Sequence, residues 1–276
     1  MESEYLKIER MCCGYPGGFH LKEINFALQK GEFAGIIGPN GSGKTTIFRG
    51  ISGILALRSG SMWLQSTDLS KLKPAMKAQR MAVVSQFPDV ANVTVEDYVL
   101  MGRIPYREMF QFFESRNDHE IAQKYMQLTG IYEHRNKLMT QLSGGEQQLA
   151  AIAQALSQEP ELLLLDEPTS HLDISHTVQI LNLIQRLNHE TSLTVIMIIH
   201  DLNLAAEYCD YLVMMDKGEI FTKGTPEEVL NYKNIEDVYK TVVVTQNNPL
   251  SGKPAIFLVS ENIMREQREK YGGINR

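Results

Sequence analysis

Three cysteines in 276 residues, two of them adjacent, are too few and too oddly spaced for a disulfide framework or a zinc site. Cys12, Cys13 and Cys209 are therefore expected as reduced thiols filling strands. Long apolar runs are missing as well. Leu162 to Leu165 and Val195 to Ile199 are strand-sized, far short of the ~20 residues that a membrane span requires. The opening Met-Glu-Ser-Glu-Tyr has neither a basic nor an apolar leader region, so no secretory signal is expected and the chain is read as cytoplasmic. Positive charge is in deficit, with 27 Lys and Arg against 33 Asp and Glu and a net charge of -6. With no basic run interleaved with aromatics, this argues against a nucleic-acid partner. Internal repeats and low-complexity tracts are absent. What remains, 43% hydrophobic and 22% charged, is the composition of a globular chain that buries a real core.

Against that background one stretch stands out. Gly38, Pro39, Asn40, Gly41, Ser42, Gly43, Lys44 and Thr45 match G-x-x-x-x-G-K-[ST], a loop whose backbone N–H groups cradle nucleotide phosphates. The apolar run Glu32 to Ile37 predicts a buried strand before it, and Thr45 to Ile54 a helix after it whose N-terminus points at the anion. Lys44 is assigned to the β- and γ-phosphates and Thr45 to Mg²⁺, with Thr46 beside them in the ATP-binding set. A glycine-rich turn before a helix would have to meet four fixed positions by chance.

Elsewhere the periodicities alternate. Leu6, Ile8 and Arg10, then Ile24, Phe26 and Leu28, have period two and predict antiparallel strands, with Tyr15 in the turn between them. Ser61 to Leu64 reads as a further edge strand and Met81 to Ser85 as a buried strand ending at Gln86, with Gln86-Phe87-Pro88 expected to break it. Thr94 and Asp97 have the spacing of a capping box, and a helix is expected from Asp118 to Thr129 before Gly130. Residues from about 88 to 158 are thus mostly helical and interrupt an α/β pattern. Glu161 to Glu167 is an apolar strand delivering two acids, Asp166 and Glu167. A helix from Ser175 to His189 and a strand Leu193 to Ile199 ending at His200 follow, which implies a parallel sheet. Tyr211 to Thr222 predicts a hairpin turning at Lys217-Gly218, Thr225-Pro226 a capped helix start, and Val242 to Thr245 with Ala255 to Ser260 strands of an extension.

A phosphate loop alone leaves kinases, GTPases and many ATPases open. Leu142-Ser143-Gly144-Gly145-Glu146, taken with Asp166-Glu167 and His200, makes the chain resemble the ATP-binding subunit of an ABC transporter over roughly residues 4 to 240, with 241 to 276 as an extension. The resemblance implies an α/β fold of the P-loop NTPase, RecA-like type, with an antiparallel β subdomain and an inserted α-helical subdomain. It implies Tyr15 as the aromatic that stacks on adenine and Gln86 as the Q-loop glutamine near Mg²⁺ and the attacking water. Ser143, Gly144, Gly145 and Glu146 become the signature that contacts ATP of the opposite subunit, so that catalysis requires a dimer. Asp166 resembles the aspartate that holds Mg²⁺, Glu167 the general base, Ser170 to Asp173 the D-loop, and His200 the switch histidine. Singly, Ser143 with Glu146 reads as a helix capping box, His200 as a core histidine and Gln86 as a strand-end polar residue; their order in one chain reverses that.

Glutamine is usual in the family at the position of Glu146. The glutamate there, with Thr94 to Gly102 and His200 to Ala206, resembles the importers of ferric siderophores, haem and cobalamin. The implied partners are a second copy of the chain, an integral-membrane permease and, indirectly, an extracytoplasmic substrate-binding protein, with the chain peripheral on the inner face of the cell membrane. Met101-Gly-Arg-Ile-Pro-Tyr106, with Arg103 as its cation and Tyr106 as its aromatic, is expected to form the permease-docking surface. The rival readings are a soluble ATPase of iron–sulfur cluster assembly and, from another class, a non-hydrolysing ATP-dependent clamp. An intact Glu167 and the lack of a long heptad arm argue against the clamp.

Overall fold

The computed structural model describes residues 4–86, 92–107 and 113–263. In order these form β1 (Leu6–Cys13), β2 (Ile24–Leu28), β3 (Phe33–Ile37), α1 (Lys44–Ser52), β4 (Leu57–Leu64), β5 (Thr67–Asp68), α2 (Pro74–Ala78) and β6 (Met81–Val84). Then come α3 (Val95–Leu100), α4 (Arg116–Thr129), α5 (Gly144–Leu156), β7 (Leu162–Asp166), α6 (Ile174–Thr191), β8 (Thr194–Ile198), α7 (Leu202–Tyr208), β9 (Tyr211–Asp216) and β10 (Glu219–Gly224). Helices α8 (Pro226–Val229) and α9 (Tyr232–Tyr239) lead into a hairpin, β11 (Val243–Asn247) and β12 (Pro254–Leu258).

The main sheet has the order β10-β9-β3-β8-β7-β6, parallel except where β10 turns back on β9. Its inner strands are apolar almost throughout because both faces are covered, with polar end residues such as Thr194 and Asp166. Phe33, Leu163, Leu165, Val195 and Met197 face one core with Leu149, Ile152, Ile180 and Ile184 from α5 and α6. Ala34, Ile36, Leu164, Ile196 and Ile198 face the other, which α1 and the sheet β2-β1-β4-β5 close. Each large apolar side chain buried this way contributes about 1.5–3 kcal/mol relative to exposure.

A smaller core of Val95, Val99, Met126 and Met139 joins α3 and α4 to Ala150 and Ala153 of α5, so α5 belongs to two cores at once. Ser115 and Asp118 close a capping box at the start of α4, and Gly130, at φ 78°, ends it in the left-handed region. The β9–β10 turn has Lys217 and Gly218 at φ 45° and 85°, the pairing of a tight hairpin turn with both central residues at positive φ. The terminal hairpin packs on α7, where Asn203 Oδ1 accepts from Ile256 N at 2.7 Å and Lys253 Nζ donates to Glu207 O at 2.7 Å.

Several sequence expectations are corrected. β4 is not an edge strand: it pairs with β1 on one side and with the two-residue β5 on the other. Thr94 caps α3 through Asp97 N, but the return bond of a capping box is replaced by Thr94 Oγ1 donating to Asp97 Oδ2 at 2.5 Å. Cys209 lies in no strand; it is buried after α7, its sulfur filling the space over Gly35 that any side chain at that position would take. The expected break at Phe87-Pro88 falls outside the described residues.

Candidate active site

Sheet order assembles the site. β3, β8, β7 and β6 are successive parallel neighbours, so their C-terminal ends form one edge. β3 ends into the Gly38–Thr45 loop, β8 leads to His200, β7 ends at Asp166 beside Glu167, and β6 leads to Gln86. Residues far apart in the chain meet there because parallel strands deliver their carboxyl ends to the same side.

The loop itself is shaped by backbone that side chains would obstruct. Gly38, at φ 145°, sits where a Cβ would come within 2.4 Å of Met215 O, and Gly43, at φ 110°, caps α1 with no side-chain bond. The first turn of α1 carries no acid, so its free N–H groups and positive dipole end stay available to an anion. The β9–β10 turn braces the loop, Gly218 N donating to Ser42 O at 2.9 Å. Ser42 Oγ is buried without a hydrogen-bond partner. Lys44 Nζ donates to Gly38 O at 2.8 Å and Pro39 O at 3.1 Å. Burial lowers the pKa of this amine, opposed by the charges of Glu167 and Asp166. A cavity of about 300 Å³ opens over the loop, lined by Phe19, Lys44, Thr45, Glu167 and His200 among others.

Glu167 is the most tightly held acid at this edge. Its Oε2 accepts from Gln86 Nε2 at 3.0 Å and from Ser170 Oγ at 3.0 Å, while Oε1 lies 2.5 Å from His200 Nε2. Its backbone is left-handed, φ 49°, a strained conformation for glutamate fixed by these bonds at the strand end. Beside it, burial first and the Glu167 charge second push the Asp166 carboxyl above the usual carboxylate range, opposed by Arg49, His200 and Lys44. Two acids side by side with the Thr45 hydroxyl and the Gln86 amide make an all-oxygen donor set, the kind that suits a hard divalent cation.

On another surface, Ser143 caps α5. Its Oγ accepts from Glu146 N at 3.4 Å, while Glu146 Oε2 accepts from Ser143 N at 2.7 Å and from Ser143 Oγ at 2.8 Å. The other oxygen of Glu146 lies 3.0 Å from His134 Nε2. Asp173 caps α6 and holds His176 Nδ1 at 2.8 Å, and the His176 ring lies so close to Gly145 that a Cβ there would approach it to 2.6 Å. The signature stretch and the Ser170–Asp173 stretch are thus packed together within one subunit.

Of the residues read from the sequence, the structure brings the loop, Gln86, Asp166, Glu167 and His200 together, and holds Ser143 to Glu146 on a separate surface with Asp173. Tyr15 does not line the cavity: its hydroxyl accepts from Arg49 Nη1 at 2.9 Å, and Phe19 is the aromatic at the loop. Sequence reasoning missed three contributors. Phe19 had no motif to mark it. Ser170 lay inside the D-loop, and its spacing of three from Glu167 could have suggested the bond. His134 is far from Glu146 along the chain, with no local signal.

The docking expectation fails at Arg103. Its side chain is 5% exposed and pairs with Asp118 at 3.0 Å, donates to Ser157 O at 2.6 Å and meets Glu159 at 3.2 Å. Tyr106 stacks under the Arg103 guanidinium at 4.0 Å and donates to Gln158 O. The pair fastens α3 to the end of α5 and offers no free cation.

Comparison with known proteins places this geometry. The ABC transporter family model matches residues 21–170, more than half of the chain. The chain is 38% identical over 93% of its length to the uncharacterized ABC transporter ATP-binding protein YvrA of Bacillus subtilis (strain 168), of which it spans 58%. It is 33% identical to the iron(3+)-hydroxamate import ATP-binding protein FhuC of the same organism, covering 96% of the chain and 97% of that protein. Among solved structures it resembles the dimeric post-hydrolysis ATP-binding cassette MJ0796 bound to ADP and Pi, with TM-score 0.70 and 26% identity over 80% of this chain and 98% of that one. The chain belongs to the ABC transporter family, and its fold is that of the family's ATP-binding cassettes.

Proposed function

We propose that this chain is the ATP-hydrolysing subunit of an importer for an iron chelate, a ferric siderophore or a compound handled like one, such as haem or cobalamin. It works as a homodimer on the inner face of the cell membrane, beneath an integral-membrane permease fed by an extracytoplasmic binding protein. As a family member it is an ATPase whose turnover is coupled to transport. The observation that carries the reading is the triple hold on Glu167 by Gln86, Ser170 and His200 beside a phosphate loop left uncapped. The importers among its relatives support the cargo class over iron–sulfur assembly.

In this reading residues 4 to 240 are the cassette, with the helical part at about 88 to 158, and Tyr15, outside the loop cavity but tied to α1 through Arg49, supplies the adenine platform where the base leaves that cavity. The N–H groups at the start of α1 and the Lys44 ammonium, released from Gly38 and Pro39, bind the β- and γ-phosphates. Thr45, Asp166 and Gln86 would hold Mg²⁺, which neutralises phosphate charge when bound. Glu167 accepts a proton as water attacks the γ-phosphorus and the bond to the ADP oxygen breaks; Gln86 and Ser170 fix the oxygen that faces them, and His200 fixes the other. The signature of the opposite subunit, Ser143 to Glu146, completes the γ-phosphate site.

A cleft of about 310 Å³ opens between the end of α1, α2, β6 and α5, lined by Ser52, Leu72, Pro74, Lys77, Met81 and Gln154. Ile54, Met76 and Ile104 are exposed at 70%, 52% and 52%. β6 forms its floor and leads directly to Gln86, so it is a suitable seat for a permease segment that must sense the γ-phosphate. The test is reconstitution in vesicles with an iron-chelate permease. Uptake of the chelate that requires ATP and the intact chain supports the reading; recovery of an ATPase that stays with soluble scaffold proteins and never with the permease would overturn it.

A further inference from the structure

The start of α5 carries a charge in an awkward place. Glu146 occupies the third helical position, and its carboxylate takes both the N–H and the hydroxyl of Ser143, at 2.7 and 2.8 Å. This satisfies the helix end, but in the reading above the same end must receive the γ-phosphate of a second subunit. A phosphate oxygen would meet a negative charge, and a Ser143 hydroxyl already committed to that charge. A glutamine could close the same capping box through its amide oxygen with no charge at all.

The structure supplies a compensation. Glu146 Oε1, the oxygen not engaged by Ser143, lies 3.0 Å from His134 Nε2, and the two side chains are only 31% and 29% exposed. His134 ends a short 3₁₀ turn, Tyr132–His134, whose backbone bonds with Ile131 fix its place. Bonds from Ser143 hold the Glu146 carboxyl below the usual carboxylate range, and the charges of His134 and Lys137 act in the same direction. Glu146 is therefore ionised, and the group paired with it is an imidazole.

We propose that His134 is the positioning residue of the signature: its Nε2, 3.0 Å from Glu146 Oε1, draws that carboxylate toward itself, leaving the Ser143 hydroxyl and the first N–H groups of α5 free to take the γ-phosphate of the opposite subunit. The inference rests on the two-subunit reading of the site. It also accounts for a glutamate where the family usually has glutamine: the acid and the imidazole act as one unit.

The experiment measures ATP-driven association of the full chain by sedimentation in a Glu167→Gln background, which traps ATP. His134→Ala weakens association by roughly fivefold for each signature loop, the upper range for one solvent-accessible ion pair. His134→Lys restores it, and His134→Ala adds nothing once Glu146→Gln has removed the charge. ATP affinity of the separate subunit is unchanged by His134→Ala, since the phosphate loop is elsewhere. Association equal to the parental value in His134→Ala would overturn the proposal. So would an equal loss whether or not Glu146→Gln is also present, which would make His134 a merely structural part of its turn. A parental protein that binds ATP and never associates would instead overturn the two-subunit reading, and this inference with it.

Discussion

Helix α1 begins at Gly43 with no side-chain cap and no acid in its first turn, whereas α5 begins at Ser143 with its capping box closed by Glu146. Both ends face phosphate in the proposed dimer, yet only the first is left open. A cap is worth about 0.5–2 kcal/mol, so α1 forgoes stability to keep its N–H groups for a ligand. α5 satisfies itself and can give up its bonds when a second subunit arrives. In the proposed dimer this difference makes the phosphate loop the primary receptor, able to bind nucleotide alone, and the signature a conditional one. The surroundings agree: every acid and amide assigned to hydrolysis lies at the α1 edge, and none at α5.

The sharpest way to break that division is Glu167→Gln. Turnover should fall about 10²–10⁴-fold while ATP binding persists, because an amide fills the space between Gln86, Ser170 and His200 but takes no proton. Steady-state hydrolysis at the parental rate would remove the base from the α1 edge.

Next in size is the anchor at the far end of α5. Arg103→Ala should cost about 3–5 kcal/mol of stability, since Asp118 is left buried without its cation. Thermal unfolding measures it, and a change below about 1 kcal/mol would mean that α5 is not held at that end. Burial raises the Asp118 pKa, but the bonds from Ser115 and Arg103 outweigh it, so the net direction is downward. With the folded pKa depressed, the contribution of Asp118 is present above the unfolded value of about 3.9 and is lost as pH falls through the folded one. The variant should lose only part of that acid sensitivity, because the bonds from Ser115, which lower the carboxyl more than Arg103 does, remain.

Lys44→Ala should weaken ATP binding roughly 10- to 100-fold by removing a charged donor from the open helix end, and Ser143→Ala should leave single-subunit binding untouched. Equilibrium titration distinguishes them; equal losses would erase the contrast between the two ends. The smallest effect is Ser170→Ala. Deleting one of the three holds on Glu167 should lower turnover about fivefold with little change in ATP affinity.

Much of this was legible in the sequence because it depends on local chemistry. The loop glycines, the apolar strands ending in Asp166 and His200, and the Ser143–Glu146 cap each follow from residue type and spacing within a few positions. The parallel sheet followed from strand and helix alternating, and the family likeness ordered its parts. What was not legible was long-range. The place of Arg103 in a buried network with Asp118, Ser157 and Glu159 depends on how a 3₁₀ turn packs against α5, and a cation in an apolar stretch reads equally well as surface. Likewise β4 looked like an edge because its second partner, Thr67–Asp68, is two residues long. Phe19 entered the cavity through the path of the turn before β2, which no pattern encodes.

The central claim, that one open and one conditional helix end make a site only when two subunits meet, is tested most directly by specific activity against subunit concentration, with sedimentation run on the same samples in ATP and Mg²⁺. Hydrolysis per subunit should rise with concentration in step with the fraction of paired chains, and Ser143→Arg should remove both the pairing and the rise while ATP still binds. Full activity per subunit at concentrations where every chain sediments alone would contradict it.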